Sequence, residues 1–376
     1  MKIVKLVLIA FNLIIVQNAI AQEVHTLLSD SEREFEAIHW APNGEIFTTD
    51  YYNGRLYQIH LDGTVETLID GFSAIAGGGF DDTGNFYFSA INDGKVYRLN
   101  SDNTYDLIGS GFNQPAGILF DPEDEGIAYV CQYGNNSVAA LNLLDGTHTI
   151  IAQNQGINGP DGLVFDQNGE FIVANYNNGQ LNRIEENGSV SFFTELPDSG
   201  FMGYIARGNN EYFVPSISGR KIYRIDVNGN VFHIAGSGSN GSEDGDALSA
   251  SFEVPNGISI NSGMDSILIA DNHNIRILTN FLVSDIRENE LPIEAFDIRF
   301  NHTENQIFLS FESSSNGTWN YQISSLEGKS LEINGAFQVI NGRNEVKIDC
   351  PDMAHGLYFI NIFDENGADL SKKFYK

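Results

Sequence analysis

Four segments of the chain open a strand in nearly the same way, and this repetition constrains the fold more than any other feature. Gln-Pro-Ala-Gly-Ile-Leu-Phe-Asp ends at Asp121, Gly-Pro-Asp-Gly-Leu-Val-Phe-Asp ends at Asp166, and two looser copies begin at Ala74 and Val254. Each is followed by a second and a third apolar run, as in Glu170 to Ala174 and Gln180 to Ile184, with Asn-Gly or Asp-Gly turns between runs. A unit of this kind cannot bury its apolar face alone and has to stack against copies of itself.

Aligned on the strand that ends in Asp, the chain divides into six units: residues 34 to 72, 73 to 112, 113 to 157, 158 to 200, 201 to 252 and 253 to 285. A period of about 40 residues suits both a propeller blade of four short strands and a helical solenoid. Arg55-Leu56-Tyr57-Gln58-Ile59, Lys95-Val96-Tyr97-Arg98-Leu99 and Lys221-Ile222-Tyr223-Arg224-Ile225 alternate at a spacing of two, which is the period of a strand. Asn43-Gly44, Asn168-Gly169 and Asn187-Gly188 supply turns at which positive φ favours Gly and Asn. The expected fold is all-β, a six-bladed β-propeller followed by a small C-terminal β-sandwich.

Two stretches resemble known repeats. Ala235-Gly236-Ser237-Gly238, Glu243-Asp244-Gly245, Ala250-Ser251-Phe252, Pro255-Asn256-Gly257-Ile258 and Ile269 to Arg276 together resemble the NHL repeat. Pro160-Asp161-Gly162-Leu163 to Asp166, with Val173-Ala174-Asn175-Tyr176-Asn177-Asn178-Gly179, is similar to the corresponding stretch of the gluconolactonase and regucalcin family. Both resemblances imply a six-bladed propeller, expected over residues 22–285.

The blade pattern stops near Glu288. Short alternating strands at Ile307 to Phe311, Trp319 to Ile323, Val346 to Ile348 and Gly356 to Ile362 read as a β-sandwich over residues 286–376. The Gly-Leu-Tyr-Phe strand and the basic end Lys372-Lys373-Phe374-Tyr375-Lys376 resemble the C-terminal sorting domain of type IX secretion in Bacteroidetes. That resemblance implies the type IX machinery as a partner and a secreted or outer-surface location. An ordinary binding sandwich appended to the propeller is the alternative.

The N-terminus agrees with export. Lys2 and Lys5 precede an apolar stretch from Leu6 to Val16, and Ala19-Ile20-Ala21 offers the small residues a signal peptidase requires, so residues 1–21 read as a signal peptide. No later segment has the ~18 uninterrupted apolar residues that a membrane span needs. A net charge of −30, spread along the chain, argues against nucleic acid or an anionic membrane as a partner. Its plain role is solubility and its sharper one attraction of cations. Cys131 and Cys350 fall in different expected domains, so no disulfide framework is expected.

In a propeller the turn before each innermost strand and the turn after each second strand lie on one face, at the mouth of the central channel. The residue before the inner-strand glycine reads Glu36, Ala76, Ala116, Asp161, Met202 and Asn256; the residue after the second strand reads Asp50, Ala90, Gln132, Asn175, Ser216 and Asp271. Glu36, Asp161 and Asn256 form an oxygen-donor set suited to calcium or another divalent cation. Turn chemistry is the competing explanation, because Asp and Asn tolerate tight turns. Tyr51, Tyr133, Asn175, Tyr176 and Asp271 are the candidate ligand-binding residues, joined by Tyr52 and Tyr204. Aromatics at the mouth suit stacking on a sugar or peptide and equally suit packing between blades. His39, between Ile38 and Trp40 on a strand, reads as a packed histidine.

The lactonase resemblance adds roles. Glu36 in Glu-Ala-Ile-His-Trp is similar to that family's first metal-ligand motif, and Asp161 stands where the family keeps a metal-bound aspartate that also serves as general base. The family's two asparagine ligands are met here by Ala116 and by Ala76-Gly77-Gly78, which offer no side-chain oxygen. The expected function is binding of a small molecule, glycan or protein at the channel mouth, with a metal-dependent lactonase or ester hydrolase as the alternative. A lyase of the streptogramin type would need channel histidines that the alignment does not supply. No Gly-x-Ser-x-Gly elbow, His-Glu-x-x-His, phosphate loop or dinucleotide fingerprint is present, so no organic cofactor is expected. Gly77-Gly78-Gly79 lies at a strand start and reads as close packing near the axis.

Overall fold

The computed structural model describes residues 22–279 and 293–375, apart from short stretches within each. The leader expected at residues 1–21 and residues 326–329 lie outside the described residues. Among those described, residues 23–279 form six consecutive antiparallel sheets, five of four strands and one of five. The innermost strands are Phe35–Trp40, Gly78–Phe80, Pro115–Phe120, Pro160–Phe165, Ala206–Gly208 and Pro255–Ile260. Each packs beside the next, and the sixth returns to the first, which closes a ring around a central channel. The fold is the expected propeller.

Burial follows from this stacking. Second strands such as Ile46–Asp50, Phe86–Ala90 and Phe171–Asn175 are buried at every position, because a neighbouring sheet covers both of their faces. Outer strands such as Tyr105–Ser110 are mostly exposed, because no further strand covers them.

The recurrent inner-strand glycine has a steric cause. A Cβ on Gly117 would sit 2.4 Å from the carbonyl oxygen of Asp161, and one on Gly257 would sit 2.3 Å from that of Glu36. The Gly77-Gly78-Gly79 run is similarly crowded, with the Ala116 carbonyl oxygen 2.6 Å from a Cβ on Gly77. Innermost strands converge on the axis and only a residue without a side chain admits that approach.

Closure of the ring comes from a segment that precedes the first repeat unit. Glu23–Ser29 pairs antiparallel with Asn274–Thr279 on the outer side of the sixth sheet, and also with Gly245–Asp246. Val24 is fully buried in the core shared with Phe252, Ile267 and Leu278. Residues 23–29 are thereby sealed to the last strand of the propeller.

The C-terminal segment is a separate β unit of two sheets. One holds Ile293–Asn301, Gln306–Ser313 and Gly342–Asp349, the other Gly317–Ser325, Ser330–Val339, Leu357–Phe363 and Asp369–Tyr375. Leu309, Phe311, Trp319, Ile323 and Ile360 share its core, with Phe311 stacked on Trp319 at 5.4 Å. Cys131 and Cys350 are both buried, in the propeller and in the C-terminal unit respectively.

Candidate functional site

At the N-terminal ends of the innermost strands the channel opens into a cavity of about 330 Å³. Its walls are built in two tiers. The lower tier comes from the residue before the inner-strand glycine and presents Glu36, Ala76, Asp161 and Asn256. The upper tier is Tyr51, Ile91, Tyr133, Tyr176, Ile217 and Asn272, each the residue directly after the post-strand position identified from sequence, one from each sheet. Seven of the ten candidate residues, Glu36, Tyr51, Tyr52, Tyr133, Asp161, Tyr176 and Asn256, thus line one cavity.

Asn175 and Asp271 do not line it. Asn175 is buried, accepts a 3.0 Å hydrogen bond from the Asn158 backbone N–H and donates its amide to Asn182. Asp271 is fully buried and accepts the backbone N–H groups of Glu253 and Val254 at 2.8 and 2.7 Å. Gln132 does the same for Asn113 at 2.8 Å. Each of these side chains holds the loop that delivers the chain to the next innermost strand, at Pro115, Pro160 or Pro255. A polar residue recurs at this position because the incoming loop's buried N–H needs an acceptor. Asp271 also faces the buried Arg276 guanidinium at 3.4 Å. Burial pushes the Asp271 carboxyl up to about 7, against these hydrogen bonds and the Arg276 charge.

The floor of the cavity concentrates uncompensated oxygen. Asp161 and Asn256 are each only 6% exposed, and Asp161 Oδ2 and Asn256 Oδ1 are buried with no hydrogen-bond partner. Burial raises the Glu36 carboxyl to about 7; a hydrogen bond from Asn256 opposes this, and the charges of Asp50 and Glu34 add to it. Burial, reinforced by Glu36, also pushes Asp161 well above the usual carboxylate range. Tyr176 is raised to about 12 by burial and by the charges of Glu36 and Asp161, which places the three groups in one electrostatic field. A buried, partnerless carboxylate oxygen is costly unless a ligand completes it.

Further along the same strands the channel widens again into a cavity of about 360 Å³ lined by His39, Phe80, Phe120, Ile205 and Ile260. His39 sits with its ring edge against Phe86 at 5.5 Å, and burial lowers its pKa to about 4, in keeping with a packed neutral imidazole. Tyr204 lines this second cavity rather than the mouth, with its hydroxyl buried and unpartnered. His273 is held by the Arg33 carbonyl oxygen at 2.6 Å. Sequence reasoning missed Ile91, Ile217 and Asn272, and with them Glu34 and Gln114. The signal was present one residue beyond the post-strand position, in the same register that supplied the tyrosines.

Comparison with known proteins agrees with this architecture. Residues 78–212 match the family model of the SMP-30/Gluconolactonase/LRE-like region, and residues 301–376 match that of the secretion system C-terminal sorting domain. The chain carries a gluconolactonase-like propeller and a type IX sorting tail. That tail directs it to secretion and the cell surface. No curated protein matches the sequence.

Among solved structures, a protein of unknown function from Bacteroides thetaiotaomicron superposes with a TM-score of 0.59 at 18% identity, over 69% of this chain and 76% of that one. An auxiliary nutrient binding protein from Bacteroides ovatus gives 0.58 at 14% identity, over 69% and 76%. A gluconolactonase from Xanthomonas campestris gives 0.57 at 15% identity, over 69% and 89%. At these identities the likeness establishes the propeller fold. Among the described residues no helix is long and apolar enough to cross a membrane.

Proposed function

We propose that the chain is exported as a propeller of residues 22–285 with a sorting domain of residues 286–376, and that the propeller captures a small molecule, glycan or protein at its channel mouth. The observation that carries this reading is the two-tiered cavity, with an oxygen-rich floor under a wall of tyrosines. A preformed concave site with a few convergent polar groups is the usual form of a ligand pocket. Tyr51 and Tyr52 meet edge to face at 5.2 Å and Tyr133 and Tyr176 at 6.0 Å, so the wall is packed in place before a ligand arrives. The test is ligand-dependent unfolding of the full chain: a compound present at a hundred times its dissociation constant stabilises by about 2.7 kcal/mol. Loss of that gain in Tyr176→Ala supports the mouth as the site, and an unchanged gain places the ligand elsewhere.

A second reading, a metal-dependent lactonase or ester hydrolase, is favoured by the unpartnered Asp161 Oδ2 and Asn256 Oδ1 beside Glu36. These oxygens suit a hard divalent cation such as calcium. Among the described residues no cluster of three or more His, Cys, Asp or Glu side chains forms a metal centre, so this set relies on two carboxylates and an amide. A divalent cation held there would supply Lewis acidity towards an ester carbonyl. Asp161 is then the group to take a proton from water, and the tyrosine wall orients the ester and limits solvent. If Glu36 and Asp161 share a cation, calcium should raise the melting temperature of the wild-type chain and Asp161→Ala should abolish that gain. A gain unchanged in the variant rejects this metal site.

A further inference from the structure

The charge and aromatic character of the mouth point to a more definite ligand class. Its lining includes three carboxylates, Glu34, Glu36 and Asp161, and no lysine, arginine or histidine among the described residues. Above them stand Tyr51, Tyr52, Tyr133 and Tyr176. Asp161 Oδ2 is buried, lacks any partner and belongs to the cavity floor.

Each simpler ligand uses only part of this arrangement. An anion would meet three carboxylates and no countercharge. A neutral sugar would stack on the tyrosines and donate hydroxyls to the floor oxygens, but it would bring no countercharge to the three acidic groups. A bare metal ion would satisfy the floor and leave the aromatic wall without a role. A substituted ammonium group uses both, since its charge is matched by a carboxylate while its polarised alkyl groups lie against ring faces. Steric access is adequate, because a cavity of about 330 Å³ has room for a small amine and its substituents. The net charge of −30 also draws cations towards the protein from a distance.

Resting on the binding reading above, we propose that the channel mouth selects an organic cation, a primary or substituted ammonium compound whose charge is received by Asp161 and Glu36 and whose carbon substituents are held by Tyr51, Tyr133 and Tyr176. The ring walls are already fixed by their perpendicular contacts, so binding needs little rearrangement.

The test is calorimetric titration of the full chain, with chelator present, using choline, tetramethylammonium and cadaverine as probes. The neutral control is the carbon isostere of choline, in which carbon replaces the ammonium nitrogen. Choline or cadaverine should bind saturably at the mouth, and the isostere at least ~10-fold more weakly, because it offers no charge to the floor. Asp161→Asn should weaken the bound probe by ~30-fold or more, as expected when one partner of a desolvated charge pair is removed. Tyr176→Ala should cost ~5- to 30-fold, whereas Tyr176→Phe keeps the ring face and should stay within ~3-fold. Equal binding of choline and its isostere would overturn the inference, as would silence from all three cations at millimolar concentration. If neutral glycans or lactones bind while the cations do not, the ligand class falls and the binding mouth stands. If no compound of any class binds, both readings fall.

Discussion

Glu36→Gln should stabilise the ligand-free propeller above neutral pH. Burial lifts the Glu36 carboxyl from 4.5 to about 7. A carboxyl whose folded pKa exceeds its unfolded value holds more protons in the folded state across that window. Stability from this group is therefore fully present below pH 4.5 and is lost as pH rises towards 7. At 1.36 kcal/mol per pKa unit, the shift corresponds to a loss of about 3 kcal/mol. For a domain of this size each kcal/mol moves Tm by about 2–4 °C, so the upper bound is roughly 6–12 °C. Glutamine keeps the shape and carries no charge at any pH. Differential scanning calorimetry of both proteins with chelator should give similar Tm values at about pH 5 and a higher value for the variant at about pH 8. Parallel curves for the two proteins would refute the reasoning, because they would mean that Glu36 ionises in the fold without penalty.

Two further substitutions probe the scaffold that presents the site. Asp271→Ala removes the acceptor for two loop N–H groups and leaves the fully buried Arg276 without that carboxylate, so urea unfolding should show a loss of about 3–5 kcal/mol; Asp271→Asn keeps an acceptor oxygen and should lose less. Gly117→Ala forces a Cβ against the Asp161 carbonyl oxygen at 2.4 Å, and the same measurement should register a loss of about 1–3 kcal/mol together with weaker binding at the mouth.

The blades were legible in the sequence because their causes are local. Alternation at a spacing of two sets strand faces, Asn-Gly pairs set turns, and the inner-strand glycine marks where one backbone meets another. The lower tier of the mouth was legible for the same reason: Glu36, Asp161 and Asn256 share one register position, and repetition carries a register from blade to blade. The post-strand position was less informative, since a recurring polar residue looks the same whether it faces a ligand or a loop amide. Asn175 and Asp271 face loop amides, and the residues that follow them, Tyr176 and Asn272, face the cavity.

Tertiary structure alone decided how the ring shuts and what its centre costs. Glu23–Ser29 belongs to no repeat unit, and its pairing with Asn274–Thr279 depends on the chain returning to its start after six sheets. No window of sequence contains that condition. The meeting of Glu36 from the first sheet with Asp161 from the fourth is of the same kind. Sequence specified each carboxylate and its register; only closure of the ring removed both from water and set their charges against each other, because desolvation and Coulomb coupling depend on distance in space and not along the chain.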